Sequence, residues 1–351
     1  MHTLQPTRSL RAVLDATLAA LPAQLSEPGR GSAACRAIAE VYDREIAEQF
    51  VAAVADAGQG PPRPLALVAT GGWARRELAP YSDIDFIVLH DRNEALAKQV
   101  CDRLLYPLWD QKLAIGHAVR EPRAVARLAR DDLSTATALL DARHIAGDRL
   151  LTAELTRQTL AALAPSGNPN QLIGALAAEQ AARHSRFGAS VYLLEPNLKQ
   201  GIGALRDLST ALWCMQIRWH PPRPLAAEPD PGDAGAGAGD GAGDAVGALL
   251  ARLVAAGHVT PRQAQVLAGA RDFLLRIRAL VQLTAKRRFD QLTFEIQEAI
   301  APSIDLAARL AGGLAGGLAG GPHARPHDGD ARPAVAPAVE ALMRDYYLHA
   351  R

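Results

Sequence analysis

Two carboxylates, Asp83 and Asp85, stand near the end of the segment GGWARRELAPYSDIDFIVLH, which runs from Gly71 to His90. On an extended strand, residues two apart leave the same face, so the two side chains point the same way. Such charges at the start of an apolar strand are costly unless something neutralises them. At this spacing they can share one or two divalent cations, which would offset both their repulsion and their desolvation. Gly71 and Gly72 are expected to end the preceding strand in a turn without side chains. There the backbone can approach a phosphate and point amide N–H groups at it. Together these are the minimum parts for nucleotidyl transfer, with basic side chains such as Arg75 available for the triphosphate. Each part alone has a plain alternative, since D-x-D occurs at strand ends and Gly-Gly in ordinary turns.

The elements that must position this segment follow from hydrophobic periodicity. LRAVLDATLAALPAQL and AACRAIAEVYDREIAEQFVAAVADAG read as two helices separated by SEPGRGS. After GQGPPRP, the run LALVAT reads as a buried strand, DIDFIVLH as a second and LAIGHAVR as a third, with the helix NEALAKQVCDRLLYPLWDQK between the last two. From Glu121 to about Arg186 the pattern is helical throughout. TPRQAQVLAGARDFLLRIRALVQLTAKRR is a further helix, with Thr260 as N-cap, Pro261 at its first position and Gln263 completing a capping box. VEALMRDYYLHAR is an amphipathic helix. Two Gly/Ala/Pro/Asp-rich stretches, 228–247 and 311–337, cannot bury a core and read as flexible loops. The expected class is α+β, mostly helical. N-terminal helices occupy 1–60, a small sheet domain 61–165 and a helical domain 166–351.

Composition narrows the partners. The 351 residues carry 37 acidic and 38 basic side chains, so no global field selects nucleic acid or membrane. The three cysteines, Cys35, Cys101 and Cys214, lack metal-ligand spacing and read as reduced thiols. With no signal peptide and no membrane-length apolar run visible, the expectation is a soluble, cytoplasmic protein.

The whole pattern of apolar strand, Gly-Gly, ten residues, D-I-D and apolar strand resembles the signature of the DNA polymerase beta-type nucleotidyltransferases. The segments LLYPLWDQKLAIGHAVR, DDLSTATALLDARHIAGD, RFGASVYLLEPNLKQGIGALRDLSTALW, RRFDQLTFEIQ and MRDYYLHAR follow it in order. From about Leu65 to Arg351 they resemble the N-terminal half of the bacterial PII uridylyltransferase/uridylyl-removing enzymes. That resemblance implies Mg²⁺-dependent transfer of UMP from UTP to a tyrosine hydroxyl of the PII signal protein. It implies metal binding by Asp83 and Asp85 and a phosphate turn at Gly71 and Gly72. Transfer of another nucleotide, for example AMP, to another protein is the alternative. So is a nucleotide-binding module whose catalysis has decayed.

Within the same resemblance, EPNLKQGIGALRD matches a loop-helix motif that makes sense as a phosphate contact. Lys199 offers a point charge, Gly201 and Gly203 permit close backbone approach, and Arg206 opens a helix. A structural Arg206–Asp207 pair is the other reading. The family usually has glycine where this chain has Ala74 and Arg76, and tyrosine where it has Trp73. It usually has proline and glycine near Ile202 and Ala204. A positive φ at Ala74 would be strained, and Arg76 could add a phosphate contact. No third carboxylate lies on the strand AIGHAVR, leaving His117 and Asp141 as candidates, each with a structural alternative. The hydrolase and regulatory domains of the full-length enzymes are not visible in these 351 residues.

Overall fold

The computed structural model describes residues 10–57, 64–163, 169–219, 245–315 and 335–351. Four strands form one sheet: β1 (Leu65–Thr70), β2 (Ile84–His90), β3 (Ile115–Arg120) and β4 (Arg143–Gly147), in the order β3-β2-β1-β4. β1 runs antiparallel to both β2 and β4, whereas β2 and β3 are parallel. A parallel pair needs a crossover. Here it is α4 (Glu94–Asp110), started by the Asn93 side chain accepting from the Leu96 amide and packed through Ala97, Val100, Leu104 and Leu108.

The run LALVAT is wholly apolar up to Thr70 because both faces of β1 are covered. Leu65, Leu67 and Ala69 face a cluster built with α1 (Leu10–Leu25), α2 (Gly31–Ala57) and α4. Ala66 and Val68 face another, built with α5 (Pro122–Leu128), α6 (Leu133–Leu140), α7 (Arg149–Leu163), α8 (Asn170–Phe187) and α9 (Leu205–Trp219). The expectation of unbroken helix from Glu121 to Arg186 fails at β4. Arg143–Gly147 is too short to show a strand period, and its pairing with β1 is set by a long-range contact. Gly147 has φ of 88° and packs its Cα against the Leu65 carbonyl, where a Cβ would meet that oxygen at 2.2 Å.

The remaining helices are α10 (Ala245–Ala255), α11 (Pro261–Ala285), α12 (Phe294–Ala315) and α13 (Val335–Ala350). The proposed loops are therefore shorter than expected. Residues 245–247 belong to α10, 311–315 to α12 and 335–337 to α13, while the rest of both stretches lies outside the described residues. The Thr260–Gln263 capping box forms as expected, with Pro261 at the start of α11.

α11 organises the assembly through buried polar side chains. Asp272 accepts from the Gly31 and Ser32 amides at 3.3 and 2.8 Å, capping α2. Gly31 is obligatory there, because a Cβ would stand 2.1 Å from the Asp272 carbonyl oxygen. Arg276 donates to the Leu25 and Ser26 carbonyls at the end of α1, both at 2.6 Å. Arg271 reaches Glu77 at 2.7 Å, and Arg75 reaches the same carboxylate at 2.6 Å.

The short helix α3 (Gly71–Ala74) follows β1 directly, so the Gly-Gly pair opens a helical turn rather than a loop. Arg143 of β4 clamps it, donating to the Trp73 and Ala74 carbonyls and to both Asp43 oxygens. Trp73 is buried and donates its indole N–H to Asp43. Ala74 is helical, so the strain expected there is absent. Arg76 carries it instead, with φ of 57°, at a cost of about 1 kcal/mol. Its side chain pairs with Asp43 at 3.3 Å instead of adding a phosphate contact.

Burial raises the Glu77 carboxyl, but Arg75 and Arg271 outweigh that effect and hold it at about 2, below the ordinary 4.5. A carboxylate so depressed stabilises the fold above its unfolded pKa and loses that contribution as pH falls towards 2. The shift corresponds to roughly 3 kcal/mol at neutral pH. Glu77→Gln should therefore lower unfolding free energy by about 3–5 kcal/mol at pH 7, as when one partner of a buried pair is removed. Urea titrations should show the gap between variant and parent narrowing from about pH 4.5 downwards. A gap that stays constant to pH 3 would show that the charge of Glu77 is not what stabilises this corner.

Candidate active site

Asp85 is the second residue of β2, paired with Thr70 on β1 and Gly116 on β3. Its carboxylate is nested between two glycines. A Cβ on Gly71 would lie 3.4 Å from Oδ2, and one on Gly116 would lie 2.2 Å from Oδ1. Gly71 adopts φ of 57°, which lets the chain turn from β1 into α3 beside that carboxylate. Asp83 sits just before β2, where Arg288 donates to it at 2.8 Å. Burial and the neighbouring charge of Asp83 raise the Asp85 carboxyl above the ordinary range, against the pull of Lys199 and Arg288.

Long-range hydrogen bonds hold the acidic loop. The Tyr81 amide donates to Gln282 of α11 at 3.0 Å, and Gln282 in turn donates to Asp290, which also binds Arg278 at 2.8 Å. The Asp290 carbonyl accepts from the Leu198 amide, so the same anchor fixes the segment carrying Lys199. The Asn197 side chain accepts from the Lys199 and Gln200 amides, and the Lys199 carbonyl accepts from the Arg206 amide. Thus Lys199 and Arg206, seven residues apart, flank one turn that opens α9.

These elements enclose a cleft of about 300 Å³. Gly71, Gly72, Arg75, Asp83, Asp85, Lys199 and Arg206 all line it. Gly201 and Gly203 do not. A Cβ on Gly201 would meet the Asn197 carbonyl at 2.8 Å, and Gly203, at φ of 70°, packs on the Ala350 carbonyl where a Cβ would lie at 1.8 Å. Both glycines serve backbone packing rather than the approach of a phosphate. Arg75 lines the cleft, but its guanidinium is shared between Glu77 and Asp141 and lies 5.8 Å from the Trp213 ring centroid. Among the described residues, Lys199 and Arg206 are cleft cations without a carboxylate in ion-pair range, Arg206 lying over Trp213 at 5.5 Å.

The remaining sequence candidates resolve geometrically. Asp207 does not pair with Arg206. It accepts from Gln180, Arg183, His184 and the Gly203 amide, tying α8 to the turn. Asp141 caps α6 and binds Arg75 and the Trp213 indole N–H, not Arg143. His117 lies beside Phe86, whose side chain leaves the opposite face of β2 from Asp85, and its ring sits 6.3 Å from Phe86 and 6.0 Å from Trp109. Asp141 lines the cleft but its carboxylate is taken by Arg75 and Trp213, and among the described residues no group of three or more metal-ligating side chains occurs. Two carboxylates open to a cleft suit a hard cation that takes its other ligands from water and substrate oxygens, as magnesium does. Arg288 is a site residue that the candidates above do not include. Its signal was the adjacent basic pair in RRFDQ, but only the fold brings it to Asp83.

Residues 171–351 match the GlnD PII-uridylyltransferase family model, and residues 16–121 match the DUF294 nucleotidyltransferase model. The chain belongs to the GlnD PII-uridylyltransferase family. It is 35% identical over 246 residues to a bifunctional uridylyltransferase/uridylyl-removing enzyme of Erythrobacter litoralis, covering 70% of this chain and 24% of that protein. With the protein of the same name from Cereibacter sphaeroides it shares 32% over 287 residues, covering 82% and 25%. With that from Bradyrhizobium diazoefficiens it shares 38% over 209 residues, covering 58% and 22%. The chain thus spans about a quarter of the length of these relatives. Among the described residues, no helix is long and apolar enough to cross a membrane.

Burial, reinforced by the charge of Arg278, lowers Lys199 from 10.5 to about 8. A phosphate held by its ammonium should therefore bind more weakly as the pH rises through that value. Calorimetric UTP affinity should fall between about pH 7 and pH 9.5 for the parent and stay flat for Lys199→Arg, which keeps its charge. Lys199→Ala should cost about 1–3 kcal/mol at pH 7. An unchanged affinity in Lys199→Ala would remove this residue from the phosphate site.

Proposed function

We propose that this chain transfers UMP from UTP to a tyrosine hydroxyl of the PII signal protein, releasing pyrophosphate. The observation that carries the reading is the placement of Asp83 and Asp85 on one wall of the cleft. Gly71 opens a helical turn beside them, and Lys199 and Arg206 stand in the same cleft. Family membership supports the choice of uridylyl over other nucleotidyl groups.

A magnesium ion held by Asp83 and Asp85 would neutralise charge on the triphosphate and favour the oxyanion of the attacking hydroxyl. Lys199 and Arg206 orient the β- and γ-phosphates, and the Gly71 and Gly72 amides lie where no side chain keeps a phosphate away. The tyrosine oxygen then attacks the α-phosphorus. A new P–O bond forms, the bond to the α,β-bridging oxygen breaks, and pyrophosphate departs with that electron pair. The phenolic proton passes to solvent water. Arg288 neutralises Asp83 and must share that carboxylate with the cation or move towards the phosphates.

The test uses the purified chain with each α-labelled nucleotide, Mg²⁺ and PII, followed by detection of labelled PII. Label from UTP on tyrosine is expected. Asp83→Asn and Asp85→Asn should each reduce transfer by about 10³-fold or more while melting like the parent, because these charges serve the cation and not the core. Near-parental transfer by either variant would overturn the site, and label arriving only from ATP would replace the base assignment.

A further inference from the structure

The carboxylate of Asp85 stands between Gly71 on one side and Gly116 on the other. In phosphoryl and nucleotidyl transfer the entering and leaving oxygens lie in line, on opposite sides of the phosphorus. If the triphosphate occupies the side of Gly71, Lys199 and Arg206, the entering hydroxyl comes from the side of Gly116. That side is a sheet edge.

Among the described residues β3 is the outermost strand, and β2 and α4 pack on it. The Ile84 amide donates to the Ala114 carbonyl, which fixes the alternation along the parallel ladder. Gly116 and Ala118 turn their main-chain groups towards β2, so those of Ile115, His117 and Val119 turn outwards. The Val119 carbonyl is taken by the Arg120 guanidinium at 2.8 Å. The Ile115–His117 stretch, level with Asp85, carries neither proline nor an inward charge, the usual devices that blunt an edge.

We propose that the outer edge of β3, over Ile115 to His117, receives the acceptor segment of the protein substrate as an added strand, with its tyrosine alongside Gly116. This rests on the uridylyl-transfer reading above and extends it to how the protein substrate docks. An added strand lies about 4.8 Å from β3 and so roughly 10 Å from β2. A tyrosine leaning across Gly116 spans that gap and brings its hydroxyl to Asp85, where a serine or threonine hydroxyl falls short. Because Gly116 has no Cβ, the Asp85 carboxylate itself lies over that residue, within reach of the β3 edge. Backbone pairing at the edge supplies affinity, and the reach to Asp85 supplies selectivity for tyrosine.

His117→Pro removes the outward amide at an edge position that tolerates proline and leaves the β2 ladder intact. With labelled UTP and PII, its KM for PII should rise about tenfold, the cost of one unmatched hydrogen bond. Its UTP affinity should be unchanged, and His117→Ala, which keeps the amide, should hold a KM near the parent's. In parallel, hydrogen exchange on the parent chain should show the Ile115 and His117 amides protected when PII is added, whether or not turnover occurs. A parental KM in His117→Pro, or PII bound without that protection, overturns the edge site. If the parent chain labels no tyrosine on PII but the two amides become protected, the transfer reading fails while the docking edge stands. If PII neither binds nor is labelled, both fail.

Discussion

The mutual repulsion of Asp83 and Asp85 is the constraint around which this molecule is arranged. At the top of an otherwise apolar strand, burial and the neighbouring charge of Asp83 together raise the proton affinity of Asp85. The fold answers with cations that belong to distant parts of the chain. Arg288 contacts Asp83 directly, and Lys199 acts on Asp85 from the turn before α9. Lys199 itself is held with a weakened proton by burial and by Arg278. The site is thus a set of incompletely neutralised charges, and the proposed nucleotide with its cation would supply the missing complement of both signs.

Keeping those charges in register requires a rigid frame, and one helix provides most of it. On α11, Arg271, Asp272, Arg276, Arg278 and Gln282 each satisfy a different partner: Glu77, the start of α2, the end of α1, Asp290 and the acidic loop. Four of these five side chains belong to buried residues. A helix with polar residues on every side would ordinarily face water. Here the polar groups are matched inside, so α11 sits in the middle of the packing and couples the N-terminal helices to the catalytic wall. Unmatched, each would carry the full desolvation penalty, which makes the network specific as well as stabilising.

This division explains what could be read from the chain. Local signals were sufficient for the three strands around the acidic pair, for α4, and for the capping box of α11, because period and capping chemistry are written in neighbouring residues. The Gly71–Gly72 and Asp83–Asp85 pairing was legible for the same reason. β4 was not, since five residues with a central His-Ile-Ala show no period and acquire their strand from β1. Gly201 and Gly203 looked like phosphate-binding glycines, yet what they approach is protein backbone, Asn197 and Ala350, and a pattern cannot say which. Asp141 and Arg143, two apart in sequence, serve different partners, one binding Arg75 and Trp213, the other Asp43 and α3.

Charge is also divided along the cleft, and this separates reaction class from base choice. Asp83, Asp85, Lys199 and Arg206 line it, and the proposed transfer assigns them to the triphosphate and its cation. The same walls carry Arg75 with its partners Glu77 and Asp141, and the uncharged Leu133, Ser134, Thr137, Ala138 and Leu176. The Ser134 and Thr135 hydroxyls bond Asp132 at the cap of α6, and the Thr137 hydroxyl donates to the Ser134 carbonyl. Hydroxyls so engaged have little left to offer a ligand, and Leu133 and Leu176 beside them present apolar surface to the cleft. Under the proposed function, reaction class thus rests on charged groups that the sequence pattern already displays. Any choice among bases would rest on how Leu133 of α6, Leu176 of α8 and Trp213 of α9 are brought to one cleft, which no local pattern encodes.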